Sequence, residues 1–162
     1  MRYLVPLVLL LAACASSASG KPAICDNLPA GDYCAYDEGR DAAEDLRTAM
    51  AIAADNDQKT IVVMGADWCH DSRALAGHFQ SERFLPLIAK HYRLVYVDVG
   101  MKNRNLSIAR GFGFDGIVGT PTVVVLDSDG AVLNYDTAPS WRNAASRTED
   151  AVYEYFAELA ER

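Results

Sequence analysis

The chain has 162 residues, 51% of them hydrophobic, and a formal net charge of −7 at pH 7. That length suits one domain, and the apolar content is ample for a single core. No stripe of Lys and Arg alternates with aromatics, which argues against nucleic acid as a partner.

The first fourteen residues read MRYLVPLVLLLAAC. Arg2 supplies a positive start, and Tyr3 to Leu11 is an uncharged apolar run too short to span a bilayer as a mature helix. Its close, Leu11-Ala12-Ala13-Cys14, resembles the lipobox of a bacterial lipoprotein signal. The resemblance implies removal of residues 1–13 as a signal peptide, lipid on the Cys14 sulfur, and a mature chain that begins there. The competing reading is an ordinary secretory signal with a coincidental cysteine. Acyl chains would hold the protein on a membrane, each buried methylene contributing about 0.8 kcal/mol. Ala15 rather than Asp follows the cysteine. In a host with two membranes, the lipoprotein sorting pattern then favours the outer one, with the protein facing the periplasm. The expected location is the bacterial cell envelope. ASSASGKPA, Ala15 to Ala23, is small, polar and aperiodic, and reads as a tether.

The expected division is residues 14–35 for the lipidated start, tether and a cysteine-flanked loop, and 36–162 for the folded domain. Export places the remaining cysteines in an oxidising compartment, where neighbouring thiols tend to pair. Cys25 and Cys34 flank DNLPAGDY, in which Pro29 and Ala30-Gly31-Asp32 favour a turn. A structural disulfide is the leading reading. The other makes one of the two a distant resolving thiol for Cys69. Either way the count is odd, and Cys69 is left over.

From Gly39 to Asp55 the spacing of Ala42, Leu46, Ala49, Met50 and Ala53 predicts an amphipathic helix. TIVVMGA is a β-branched run suited to a strand buried on both faces. CHDSRALAGHF begins a helix that Asp67 is placed to cap. Ser81 is a second expected cap, opening a helix that Pro86 would kink. Arg93 to Val99 is the next buried strand, and NRNLSIARGFGF a short helix broken at Gly111 and Gly113. Val123 to Leu126 and Val132 to Tyr135 read as a hairpin about Asp127-Ser128-Asp129-Gly130. Ser146 and Glu149 have capping-box spacing ahead of a last helix through Val152, Phe156 and Leu159. The alternation predicts an α/β fold: a mixed central sheet with helices on both faces, ending in a β-hairpin and a helix.

ADWCHDS resembles the Trp-Cys-x-x-Cys segment of the thioredoxin superfamily, between a central strand and a helix. GTPTVVVLDSDG resembles that superfamily's cis-proline segment, which would place Pro121 at the cis position. With the element order over about Asp41 to Glu161, the chain resembles a member throughout its body. It departs from the dithiol enzymes at Ser72, where they keep a second cysteine. The resemblance implies Cys69 as nucleophile, with Trp68, Thr120 and Pro121 as a rim for an extended peptide. Without the resemblance, a trans proline starting an edge strand is the default for Pro121.

Thiolate, not thiol, attacks a disulfide. Cys69 at a first helical turn would sit where unpaired N–H groups and the dipole stabilise negative charge. Ser72, one turn on, could donate its hydroxyl to the sulfur. Asp67, His70 and Asp71 are the charged neighbours expected to bear on the sulfur, the histidine for the anion and Asp71 against it. After attack, a dithiol enzyme resolves the mixed disulfide internally. Ser72 cannot. Release must come from a substrate thiol, a small thiol, or Cys25 or Cys34, which favours isomerisation or exchange over net reduction. The expected partners are disulfide- or thiol-bearing proteins or small thiols, with no cofactor.

Three blander assignments stand beside this one. Cys69 could be an inert buried cysteine. The fold could be a redox-inactive, chaperone-like binding module, or the thiol a peroxide sensor. His78 and His91 show no zinc spacing, DSDG lacks the glutamate of a calcium loop, and no metal is expected. GFGFDG follows no strand and is not a nucleotide loop. Trp141 falls in a loop whose role, docking or packing, the residues leave open.

Overall fold

The computed structural model describes residues 23–162. The expected signal peptide, Cys14 and nearly all of the tether lie outside the described residues. Among the described residues, no helix is long and apolar enough to cross a membrane.

After a 3-10 turn at Ala23–Asp26, the elements are α1 (Ala42–Asp55), β1 (Lys59–Gly65), α2 (His70–Gln80), α3 (Phe84–His91) and β2 (Tyr92–Asp98). Then follow α4 (Leu106–Gly111), β3 (Thr122–Leu126), a 3-10 segment (Ala138–Ser146) and α5 (Glu149–Ala160). The strands form a mixed sheet in the order β2-β1-β3, with β2 parallel and β3 antiparallel to β1. The central strand explains the layering. Ile61 and Val63 pack with Leu75, Phe79, Phe84, Phe156 and Trp141 on one face. Val62 and Met64 pack with Ala42, Ile108, Ala109 and Leu126 on the other. Alternation with period two sends these neighbours to opposite faces, and both faces are covered by helices. The α/β thioredoxin-like architecture expected from the sequence is the one found.

Several local expectations give way. The return strand Val132–Tyr135 does not form: among the described residues beyond β3, only Val132 bridges Leu126. Asn134 takes its place. Its Oδ1 accepts from Val125 N at 2.8 Å and its Nδ2 donates to Val123 O at 2.9 Å, so a side-chain amide satisfies the β3 backbone. Pro86 does not kink α3, because it falls in the first turn, where no helical N–H is due. Ser81 does not cap α3; its backbone carbonyl accepts from Phe84 and Leu85, while its hydroxyl reaches Glu149. The cap of α5 is Thr148, which accepts from Ala151 N, rather than Ser146 at the end of the preceding 3-10 segment.

Trp141 is a packing residue. It is fully buried and stacked on Phe156 at 5.0 Å, with the Arg147 guanidinium 4.1 Å above its ring. Trp141→Ala is expected to cost about 3–5 kcal/mol, read as a lowered urea midpoint at unchanged slope.

Candidate active site

The buried strand β1 ends at Gly65, and Ala66 to Trp68 carry the chain to α2. Cys69 is the N-cap of α2, with extended backbone angles (φ −87°, ψ 120°), and its carbonyl accepts from Arg73 N. The cysteine sulfur therefore stands at the end of the helix where first-turn N–H groups lack intrahelical partners. Its thiol donates to the carbonyl oxygen of Thr120 at 3.3 Å. Thr120 precedes Pro121 through a cis peptide bond, so two motifs 51 positions apart in sequence meet at this sulfur. Cys69 is buried, 9% exposed, although it belongs to neither apolar cluster.

Trp68 is held across the site by its indole N–H, which donates to Gly100 O at 2.9 Å, and its ring is exposed. Met101 and Val118 are exposed too, at 70% and 72%; Met101 follows Gly100, which holds the Trp68 indole, and Val118 stands two places before Thr120. These two belong to loops with no periodic pattern, and sequence reasoning missed them. An apolar side chain in a glycine-flanked loop was the available signal.

The remaining expected site residues are elsewhere engaged. Ser72 does not bond to the sulfur. Its hydroxyl is fully buried and stands with the Tyr36 hydroxyl over the Cα of Gly65. Burial pushes the Tyr36 phenol well above its ordinary range, with Tyr96 adding to the push and the Ser72 hydroxyl opposing it. His70 turns to Asp32, at 3.7 Å, rather than to the thiol. Asp71 accepts from Ala145 N at 2.9 Å and ties α2 to the segment before α5. Asp67 does not cap α2. Its Oδ1 accepts from Ala35 N and Tyr36 N, so it fixes the chain that follows Cys34. Nearness in sequence suggested three charged neighbours of one sulfur; long-range contacts have claimed them.

Cys25 and Cys34 are joined by a disulfide, and Cys69 is the free cysteine among the described residues. The loop they close lies against α2. Tyr33 N donates to Arg73 O, and the buried Arg73 guanidinium donates to Asp32 at 3.0 Å and to the Asp67 carbonyl at 2.7 Å. Arg73 was another omission; a charged residue three places before Ala76 and six before Phe79, on a buried helical stripe, was the sign. A Cβ on Gly77 would overlap the Gly31 carbonyl oxygen. Gly77→Ala is therefore expected to lift this loop, destabilising the fold by about 1–3 kcal/mol and exposing residues 25–34 to limited proteolysis. The two sulfurs and Asp67 offer ligand atoms within 4.8 Å of one another, yet sulfurs spent on a disulfide leave a single carboxylate to hold a metal.

A family model described as thioredoxin-like matches residues 41–128. The chain is also similar to a disulphide isomerase of Xylella fastidiosa Temecula1. The two are 37% identical, with a TM-score of 0.70, over 78% of this chain and 97% of that one. This chain belongs to the thioredoxin-like family. A Pseudomonas aeruginosa protein of unknown function is 16% identical, with a TM-score of 0.42 over 76% of this chain and 85% of that one, a likeness too loose to speak to the site. No curated protein matches the sequence. Within this thioredoxin-like chain, the matched segment runs from the N-cap of α1 through the sulfur and the cis-proline to the turn after β3.

Proposed function

We propose that the protein performs thiol–disulfide exchange through Cys69, as an isomerase or mixed-disulfide carrier, at the bacterial cell envelope. The observation that carries this is the sulfur at the α2 N-cap, 3.3 Å from the carbonyl that precedes a cis-proline. In this reading an incoming extended peptide takes Thr120 O, itself on a buried residue, as acceptor, and the exposed side chains of Trp68, Met101 and Val118 offer apolar contact. A peptide N–H that takes Thr120 O removes the thiol's own acceptor. First-turn N–H groups of α2 then remain to stabilise the thiolate. The thiolate attacks one sulfur of the substrate disulfide, and the other leaves as a substrate thiolate. With Ser72 in place of a second cysteine, that same substrate thiolate or another is left to displace Cys69, and the substrate departs with a rearranged bond. The Xylella fastidiosa protein, a disulphide isomerase by description, is a relative in keeping with this reading.

Refolding of a scrambled disulfide protein tests it. Catalysed recovery of native pairing, with no net consumption of reductant, is the expected outcome; recovery at the uncatalysed rate overturns the proposal. Anchoring through Cys14 is part of the same proposal and has its own check. A labelled fatty acid should enter the wild-type protein in a bacterial host and not Cys14→Ser; equal labelling of both contradicts it.

A second function has an observation in its favour: Cys69 is 9% exposed and its thiol is bonded to a backbone carbonyl. A binding module that grips extended segments at the Thr120–Pro121 edge would need nothing more. In that case Cys69→Ala leaves partner binding unchanged, and substitution of Trp68 abolishes it.

A further inference from the structure

Asp67 splits its two oxygens between different neighbours. Oδ1 accepts the Ala35 and Tyr36 N–H groups, at 3.0 and 3.2 Å. Oδ2 faces Cys25 Sγ at 3.8 Å. Cys25 is bonded to Cys34, so its sulfur has no proton to donate, and the contact is not a hydrogen bond in the oxidised protein. Asp67 is 4% exposed. A buried carboxyl oxygen set against a proton-free sulfur is poorly satisfied, and that arrangement needs a reason. Reduction supplies one, because a Cys25 thiol at that position donates to Oδ2. Burial also holds the Asp67 carboxyl above its ordinary range, with Asp98 adding to the push, against the Tyr36 and Ala35 N–H groups and the Arg73 guanidinium that lower it. The acid thus keeps its proton to a higher pH than a solvated aspartate. Cys34, itself only 8% exposed, borders a cavity of about 770 Å³ together with Tyr33, Tyr36, Asp67 and Trp68, and Cys25 is half-buried.

We propose that Cys25–Cys34 is a second redox centre, separate from Cys69, which accepts two electrons from a dithiol, with Asp67 as the proton donor to Cys25. One thiolate of the dithiol enters by the cavity and bonds to the Cys34 sulfur. The Cys25–Cys34 bond breaks, its electron pair goes to Cys25 Sγ, and that sulfur takes the Asp67 proton. The dithiol's second sulfur, losing its proton to solvent, attacks its own sulfur held on Cys34. A disulfide forms in the reductant and Cys34 leaves as thiolate. Cys34 and Asp67 each regain a proton from solvent. The sum is one dithiol oxidised to a disulfide and one protein disulfide reduced to two thiols.

The test uses the full chain with Cys69→Ala, so that no exchange through Cys69 enters, and dithiothreitol as the dithiol. Alkylated residues are located by mass spectrometry over time. Cys25 and Cys34 are expected to become alkylated while the protein stays folded, at a rate first-order in dithiothreitol. Adding Asp67→Asn should slow this by about tenfold or more at the acid end of the range, where Asp67 holds its proton. The introduced amide retains a carbonyl oxygen for the Ala35 and Tyr36 N–H groups, so the fold has its anchor. After correction for the thiolate fraction of the reagent, the rate with Asp67 should fall as pH rises through its titration, and the rate of the Asp67→Asn chain should stay flat. Reduction no faster than global unfolding overturns the proposal, and so does an Asp67→Asn chain with an unchanged rate and profile. Should that variant fail to fold, a flat pH profile for the chain bearing Asp67 overturns it alone.

Discussion

Cys69→Ala is expected to eliminate the mixed disulfide and to lower disulfide exchange by about a thousandfold or more, toward the uncatalysed rate. No other described cysteine is a free thiol: the two remaining are bonded to each other. The stability cost should be small, because the sulfur belongs to neither apolar cluster and its hydrogen bond goes to Thr120 O. Cys69→Ser sharpens the test. A hydroxyl keeps the donor to Thr120 O and nearly the same volume, so fold and peptide edge persist while the nucleophile is gone. Equal loss in both variants assigns the effect to sulfur chemistry. Retained exchange in either would assign it elsewhere. The comparison is made by the initial rate of recovery of a scrambled substrate, with circular dichroism as the control on folding.

Ser72→Cys should have the opposite consequence, a gain. Position 72 lies one helical turn after Cys69, the separation at which side chains on a helix are neighbours. A cysteine there makes release of the mixed disulfide intramolecular. Well-oriented intramolecular steps reach effective concentrations of about 10⁵–10⁸ M, so even a poorly aligned thiol outruns millimolar external thiol. Release should accelerate by more than about a hundredfold, and the variant should turn over as a dithiol reductase. The site has one obstacle. Ser72 is fully buried beside the Tyr36 hydroxyl, and a larger sulfur must displace something there. Ser72→Ala separates the effects, since it relieves crowding yet keeps slow release. A flat release rate for Ser72→Cys in a folded protein would mean that position 72 does not address the Cys69 sulfur.

Much of this site could be read from the sequence because its signals are local. Ile61 to Met64 are buried on both faces, as a continuous β-branched run implies, and a lone Trp-Cys pair directly after it could only fall at a strand-to-helix junction. The threonine–proline pair before a valine run likewise marks an edge that enters the sheet. What escaped reading depends on distant partners. Asp67 has the composition and position of a helix cap, but hydrogen bonds to residues 31 and 32 positions earlier outcompete that local use. His70 is drawn to Asp32, and Arg73 to the same carboxylate across 41 positions. Val132 to Tyr135 follow the Asp127–Gly130 turn as a return strand should, yet Asn134 satisfies β3 with its own amide, and no ladder is left to extend. A local pattern fixes what a segment prefers. Contacts from the far end of the chain decide which preference is exercised.

The most direct test of the account is chemical modification of the folded protein by a glutathionylated or disulfide-bonded peptide, quenched with acid and mapped by mass. A single adduct on Cys69 is expected, reversed by added thiol, formed faster with an extended peptide than with a small disulfide, and absent from Cys69→Ala. A native protein whose Cys69 takes neither the peptide nor an alkylating reagent would contradict it.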